Sequence, residues 1–293
     1  MIKSIRNKQI IIIGAIVLLI AFLFTRDIKG LIKPKEETST KANSANGGQM
    51  AEKPAAPEIN LVQVSSSAKN VINANLAAEI TTLENAYNTA PEAEKAAAAK
   101  LLAQKWNDIE QLVPSALYLE IIASKEATLK NWMSAGDQFM KAFDNTRDSL
   151  MLPALLQKAN TAYTNAVALD STNAAAKTGL GITIVNGMGM PMQGIAMLLD
   201  VVKKDPNNLK ANMSLGTFAI KSGQFDKAIT RFESIVKTNP SPDAYFYLAT
   251  AYENLGRNQE AIDAYLKSKK LAANAKLSQF IDEKVIALKN KHK

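Results

Sequence analysis

The sequence lacks cysteine and contains one histidine, His292, among its 293 residues. Without cysteine, the chain can form no disulfide, thiolate metal site or thiol nucleophile, and it cannot carry a lipid on an N-terminal cysteine. His292 is next to last in a basic tail, so one chain cannot build a Ser-His-Asp triad or a multi-histidine metal site. We therefore expect no catalytic residues, no metal and no cofactor, and we predict that the protein is not an enzyme.

Net positive charge is also small over most of the chain. The net charge is +8, but the first 35 residues hold seven lysines and arginines beside one acidic residue, which accounts for +6 of it. The rest of the chain is nearly neutral, whereas nucleic-acid binding would need a basic surface on the folded part. We expect no nucleic-acid partner.

An apolar run covers residues 10–24 and is bounded by basic residues on both sides. As a helix it would span about 22 Å, which polar ends and snorkelling lysine and arginine side chains extend towards a bilayer core of about 30 Å. A cleaved signal peptide is the alternative, but the adjoining TRDIKGLIKPK offers bulky and charged residues where a cleavage site needs small ones. We predict an N-terminal region, 1–33, with a transmembrane helix at about 9–25 that contacts the lipid bilayer.

The positive-inside count is similar on both sides of this run, so charge alone does not set the orientation. A short basic N-terminus before the only apolar segment favours a cytoplasmic N-terminus. The prediction is a single-pass protein of the inner (cytoplasmic) membrane whose C-terminal domain faces the periplasm. Residues 34–70 are predicted to be a flexible linker, because residues 34–58 contain no valine, isoleucine, leucine, phenylalanine, tryptophan or tyrosine.

The remaining chain shows helical periodicity without an alternating strand pattern. Residues 71–152 carry apolar stripes such as Leu102, Trp106 and Ile109, and are predicted to be a helical N-terminal part of the fold. Self-comparison then reveals a repeat of 33 to 34 residues: Gly223, Ala228 and Phe232 recur as Gly256, Ala261 and Tyr265. Small residues at helix crossings and a glycine that ends the first helix are typical of stacked helix hairpins.

Three segments carry this pattern: TGLGITIVNGMGMPMQGIAMLLDVVKKDPNN, LKANMSLGTFAIKSGQFDKAITRFESIVKTNP and DAYFYLATAYENLGRNQEAIDAYLKSKKLA. They resemble the tetratricopeptide repeat (TPR) family and its membrane-anchored bacterial members. The resemblance covers residues 153–273 and extends less clearly to NWMSAGDQFMKAF, where about eleven extra residues precede the second helix. Residues 274–293 are predicted to be a C-terminal capping helix. The predicted fold is an all-α solenoid of antiparallel helix hairpins preceded by one transmembrane helix.

The resemblance implies protein or peptide binding in a groove lined by the first helix of each repeat. Carried over by position, the groove residues are Thr178, Ile182, Met213, Thr217, Ile220, Lys221, Phe246, Thr250, Glu253 and Asn254. The alternative is that the capping helix or residues 58–75 already fill this groove. The lysine, asparagine and arginine clamp with which some family members hold a C-terminal carboxylate is absent, because the matching positions hold Thr178, Ile182, Met213, Lys210 and Asp243.

The predicted function is that of a membrane-tethered scaffold or adaptor for protein–protein interactions in a cell-envelope complex. A holdase-like chaperone or ancillary factor for exported proteins is the alternative, in protein export, envelope assembly or cytochrome maturation. Met188, Met190 and Met192 could supply thioethers to Cu(I), but filling a gap at the inter-helix turn is the simpler interpretation. The sequence does not indicate an oligomeric state.

Overall fold

The computed structural model describes residues 59–290, which form α-helices and no strand. The helices of this part are α1 (Leu61–Lys69), α2 (Ala74–Thr89), α3 (Lys95–Asp108), α4 (Leu112–Lys125), α5 (Leu129–Asn145), α6 (Leu152–Leu169), α7 (Ala174–Gly187), α8 (Pro191–Lys204), α9 (Leu209–Lys221), α10 (Phe225–Thr238), α11 (Pro242–Asn254), α12 (Asn258–Leu271) and α13 (Ala275–Asn290). Pairs of successive helices pack as hairpins, and each hairpin packs against the next along the chain. The predicted all-α solenoid is confirmed for these residues.

The first helix of each repeat begins at a polar side chain that caps it. Thr128, Asn173, Asn208 and Ser241 precede α5, α7, α9 and α11, and each accepts a hydrogen bond from a backbone N–H of the first turn. Such caps satisfy an N–H group that has no partner within the helix. The second helices α6, α8, α10 and α12 begin without a side-chain cap.

Glycine ends the first helix of three repeats, as the sequence predicted. Gly189, Gly223 and Gly256 have φ values of 77°, 73° and 72°, in the left-handed region that glycine adopts without steric cost. Glu110 adopts φ 58° at the corresponding place between α3 and α4, although it carries a side chain. The α3–α4 pair therefore turns in the same way as the recognisable repeats.

The segment NWMSAGDQFMKAF, whose partner helix the sequence did not identify clearly, forms a complete hairpin. Helix α5 packs along α6, and Tyr163 of α6 is fully buried and reaches Asp137 of α5. The extra residues lengthen α5 to 17 residues and form the connection over residues 146–151. Because the insertion lies at one end of the hairpin, it does not disturb the contact between the two helices.

The predicted linker extends too far at its C-terminal end. Residues 61–69 form α1, which is capped by Asn60 and packs Leu61 and Val64 against the core. Lys69 of α1 forms an ion pair with Glu84 of α2 at 2.5 Å. The absence of branched aliphatic and aromatic residues applies only to residues 34–58, so it gave no reason to extend the linker to residue 70.

The predicted transmembrane helix at about 9–25 lies outside the described residues. Within residues 59–290, no helix is both long enough and apolar enough to cross a membrane. At the other end, α13 lies where the sequence predicted a capping helix and buries Ile281, Val285 and Leu288 against the last repeat.

Candidate functional site

A central groove runs across the first helices of successive repeats. It has a volume of ≈ 760 Å³. Its lining comes from α5 (Asp137, Met140, Lys141, Asp144, Asn145), α6 (Tyr163), α7 (Gly179, Ile182, Asn186), α9 (Leu209, Lys210, Met213, Ser214, Thr217, Phe218, Lys221) and α11 (Asp243, Tyr247). Methionine, leucine, isoleucine and aromatic side chains form much of this surface, with aspartate and lysine side chains between them.

One polar bridge crosses the central groove. The Tyr163 hydroxyl donates a hydrogen bond to Asp137 at 2.6 Å, and the Lys210 ammonium lies 3.1 Å from the same carboxylate. Burial raises the pKa of the Tyr163 hydroxyl, and the charge of Asp137 raises it further. Tyr163 is therefore a neutral donor that orients Asp137 towards Lys210, and it links α6, α5 and α9.

Two glycines allow Tyr163 to reach the groove. A Cβ atom on Gly179 would lie 2.4 to 2.6 Å from three atoms of the Tyr163 ring, and one on Gly136 would lie 2.8 to 3.0 Å from it. Real Cβ atoms do not approach other atoms so closely. The ring of Tyr163 therefore packs directly on the backbones of α5 and α7, which fixes the floor of the groove.

Two other carboxylates of the central groove form no hydrogen bond or ion pair within residues 59–290. Asp144 lies near the C-terminal end of α5, and Asp243 lies in the first turn of α11. Asp144 remains exposed, but neighbouring side chains remove part of its hydration and raise the pKa of its carboxyl, while Lys210 and Lys221 lower it in part. Burial, followed by the charges of Asp243 and Asp144, raises the pKa of Tyr247, which places the tyrosine within the field of both carboxylates.

A second cavity, the C-terminal cavity, lies between the last repeat and α13. Its volume is ≈ 400 Å³, and its lining consists of Phe246, Thr250, Glu253, Asn254, Tyr265, Phe280 and Lys284. Phe280 of α13 lies 6.0 Å from Phe246, measured between ring centroids. Lys284 of α13 lies 2.9 Å from Glu253, which also accepts a hydrogen bond from Tyr265 at 2.7 Å. The capping helix therefore covers this end of the predicted groove.

The other segment proposed to fill the groove lies elsewhere. Helix α1 and its flanking residues line a separate groove of ≈ 560 Å³, beside the α3–α4 and α5–α6 connections. None of residues 59–75 lines the central groove or the C-terminal cavity. Of the two proposed intramolecular occupants, only the capping helix contacts predicted groove residues.

The predicted site residues divide between the two cavities. Ile182, Met213, Thr217 and Lys221 line the central groove, and Phe246, Thr250, Glu253 and Asn254 line the C-terminal cavity. Ile220 lines neither cavity and packs, partly buried, against the C-terminal core cluster.

Thr178 is wrongly assigned to the groove. It is 1 % exposed, and its hydroxyl donates a hydrogen bond to the carbonyl oxygen of Ala174 at 2.7 Å. Gly179 and Gly181 allow α6 and α8 to approach α7 closely, so that α7 is buried on most of its surface. A position that faces a groove in other repeats is therefore internal in α7.

Several residues of the central groove were missed by the sequence analysis. Asp137, Met140, Lys141 and Asp144 lie on one face of α5, at the helical spacings i, i+3, i+4 and i+7. This spacing could have identified them, but the uncertain pairing of this segment kept it out of the predicted groove. Tyr163 had no such signal, because second helices were expected to lie behind the first ones.

The three methionines of the GMGMPMQG run differ in burial. Met188 packs, partly buried, against a core cluster, whereas Met190 and Met192 are 55 % and 74 % exposed. Gap filling therefore describes Met188 alone. Within residues 59–290, no group of three or more histidine, cysteine or carboxylate residues is arranged to hold a metal ion.

Comparisons with known proteins agree with this architecture. The family model described as Tetratricopeptide repeat matches residues 214–276, which extend from α9 to the start of α13. A search of curated proteins finds no match to this sequence. A crystal structure of a tetratricopeptide repeat protein from Parabacteroides merdae has a TM-score of 0.54 and 14% sequence identity, and the likeness covers 79% of this chain and 90% of that one.

Two further structures have lower TM-scores. A crystal structure of the MamA protein has a TM-score of 0.45 and 19% identity over 61% of this chain and 92% of its own. YrrB, described as a TPR protein with an unusual peptide-binding site, has a TM-score of 0.43 and 15% identity over 69% of this chain and 97% of its own. The family match supports tetratricopeptide repeats in the C-terminal hairpins, and the Parabacteroides merdae structure shows the fold.

Proposed function

We propose that this protein is a non-catalytic, membrane-tethered scaffold that binds a protein or peptide partner in its central groove, within a cell-envelope complex. The observation that carries the proposal is the open central groove. It has a volume of ≈ 760 Å³ and mixes apolar and charged side chains, and it is lined by the helices that stacked repeats present to a ligand.

The composition of the groove suits a polypeptide. Met140 and Met213 are flexible apolar side chains that adapt to different partner residues. Lys210, Asp137 and Tyr163 supply polar contacts at fixed positions, which favour one orientation of the bound segment. A polar bridge beside an adaptable apolar surface is a suitable arrangement for selective binding of a helix or an extended segment.

The membrane part of the proposal rests on the sequence. The apolar run 10–24 would anchor the chain in the inner membrane, and residues 34–58 would separate the folded part from the bilayer. Tethering raises the effective concentration of the groove near membrane partners. This gives the anchor a role in binding that requires no additional contact.

Photo-cross-linking in cells tests the groove. We expect a photoreactive residue at Met213 to capture one dominant partner, whereas the same residue at exposed Lys227 of α10 serves as the matched control. A diffuse set of products from Met213 would instead support the holdase-like chaperone. If the yield from Met213 did not exceed that from Lys227, groove binding would be wrong.

Topology is tested separately. A C-terminal reporter that is active only outside the cytoplasm should be active when fused to the full chain. A stable but silent fusion would contradict the proposed periplasmic orientation and would leave groove binding to be judged by the cross-linking.

A further inference from the structure

We propose that Met190 and Met192, at the N-terminal end of α8, form a site that peroxides oxidise to methionine sulfoxide before they reach the methionines of the central groove. The inference goes beyond groove binding and does not depend on it. Two features of the structure point to this site: the exposure of the two thioether side chains, and the positions that they occupy in the repeat.

Met190 and Met192 are the exposed methionines of the part of the chain that the structure describes. Met190 is 55 % exposed and Met192 is 74 % exposed. The other methionines of residues 59–290 are partly buried and pack against a core cluster: Met133, Met140, Met151, Met188, Met197 and Met213. Beside Met190, Gly189 is also exposed, and a Cβ on it would meet no atom within 4 Å. A small oxidant in solution therefore reaches this connection freely.

The repeat does not require methionine at either position. Met190 is the residue before α8, and Met192 is the second residue of that helix. Polar residues occupy the same two positions in the next two repeats: Gln224 and Asp226 at α10, and Arg257 and Gln259 at α12. Because neither methionine is buried, packing does not explain the exchange of a polar side chain for an apolar one. The property that methionine adds here is the reactivity of its thioether.

Oxidation of these side chains needs no catalytic group from the protein. The Sδ atom attacks one oxygen of hydrogen peroxide, the O–O bond breaks, and the S–O bond of the sulfoxide forms. Sulfur loses two electrons to the peroxide, and the second oxygen leaves as water with the proton of the transferred oxygen. Because the peroxide must reach the sulfur, the rate of this step follows the exposure of the side chain.

Oxidation at α8 leaves the central groove unchanged. Met140 and Met213 line that groove, whereas Met190 and Met192 do not. A sulfoxide is polar, so its formation on a groove methionine would remove part of the apolar surface offered to a partner. Peroxide that reacts at α8 is no longer present to react there. The exposed pair therefore protects the binding surface as long as it remains reduced.

Oxidation of the purified full-length protein by hydrogen peroxide, at less than one equivalent, tests the inference. Proteolysis and tandem mass spectrometry locate the added oxygen. We expect the initial rates at Met190 and Met192 to exceed those at the other methionines of residues 59–290 by at least about threefold. The difference should disappear in urea, because unfolding exposes every thioether to the peroxide.

Variants of the protein test the protection of the groove. Met190→Leu with Met192→Leu keeps apolar side chains of similar volume and removes both exposed thioethers. At the same amount of peroxide, this double variant should show increased oxidation of Met140 and Met213. Met188→Leu is the matched control, because it removes a partly buried methionine of the same run and should leave oxidation of the groove unchanged. Circular dichroism verifies that each variant is folded.

Three outcomes would overturn the inference. Equal rates at Met188, Met190 and Met192 in the folded protein would show that exposure does not select the site. A difference that persisted in urea would come from the local sequence and not from the fold. Unchanged oxidation of Met140 and Met213 in the double variant would contradict the protective role. None of these results affects the proposed function, which is judged by cross-linking.

Discussion

The central groove and the C-terminal cavity are built from helices of successive repeats, yet the capping helix α13 lines only the C-terminal cavity. In both, a buried tyrosine of a second helix donates a hydrogen bond to a carboxylate of the first helix: Tyr163 to Asp137, and Tyr265 to Glu253. In both, a lysine from a later helix completes the ion pair: Lys210 in one, and Lys284 in the other.

The difference lies in the segment that succeeds each repeat. After α6 the chain continues into further repeats, whose first helices form the walls of the central groove. After α12 it continues into α13, which places Phe280 and Lys284 over α11, the first helix of the last repeat. A stacked repeat leaves an apolar face that must be covered, and the terminal one is covered by its own cap. Partner binding is therefore expected at the interior repeats and not at the last one.

The largest expected effect concerns the packing of Tyr163. Gly179→Ala should lower the free energy of unfolding by about 2 kcal/mol, because the new Cβ would lie 2.4 Å from a ring that Gly136 confines on its other side. Urea unfolding followed by near-UV circular dichroism measures the loss. Adding Tyr163→Leu should recover part of it, because the smaller side chain removes the clash.

The last repeat shows a Cβ at the position equivalent to Gly136, the other glycine that confines Tyr163. Ala249 of α11 is fully buried where Gly136 and Gly216 stand in other repeats, so a Cβ is accommodated there beside Tyr265. Ala249→Gly should cost about 1 kcal/mol, mainly through helix propensity. If Gly179→Ala were as stable as the wild type, Tyr163 would not be confined between two backbones as described.

Much of the difference between the central groove and the C-terminal cavity could not be predicted from the sequence. The repeat period and the glycines at 223 and 256 identified the hairpins, because turn geometry and close helix crossings restrict residue type locally. That Tyr163 reaches the groove depends on α5 and α7 lying on either side of α6, which is a relation between distant segments. Thr178 was misplaced for the same reason: its burial depends on how closely α6 and α8 approach α7.

The two lysines should differ in their contribution to stability. Lys284→Met should lower the free energy of unfolding by up to about 1 kcal/mol, since Glu253 is only 18 % exposed and would lose its cation. Lys210→Met should cost less than about 0.5 kcal/mol, because Lys210 and Asp137 are 56 % and 52 % exposed. Urea unfolding of both variants under the same conditions checks this order.

A reversed order would contradict the comparison between the cavity that α13 lines and the groove that it does not reach. Hydrogen exchange adds a second readout, because Lys284→Met should increase exchange in α13 while leaving α5 and α9 unchanged. Lys210→Met should leave α13 unchanged, since it removes a contact between α5 and α9 only.

The smallest expected effect is on the unpaired carboxylate of the open groove. Asp144 has a pKa above its ordinary value, mainly because neighbouring side chains remove part of its hydration. The folded state therefore favours the protonated form, so this residue's contribution to stability is present below the ordinary aspartate pKa of about 3.9 and is lost as pH rises through the higher folded pKa. Asp144→Asn should be more stable than the wild type at neutral pH by a few tenths of a kcal/mol.

The difference between Asp144→Asn and the wild type should disappear in acid, where the wild-type carboxyl is protonated in both the folded and the unfolded state. Urea unfolding at neutral and at acidic pH measures it, and Asp108→Asn shows what removing a carboxylate from the end of a first helix does outside the groove. If Asp144→Asn destabilised the protein at neutral pH, the carboxylate would have a favourable partner in the free protein.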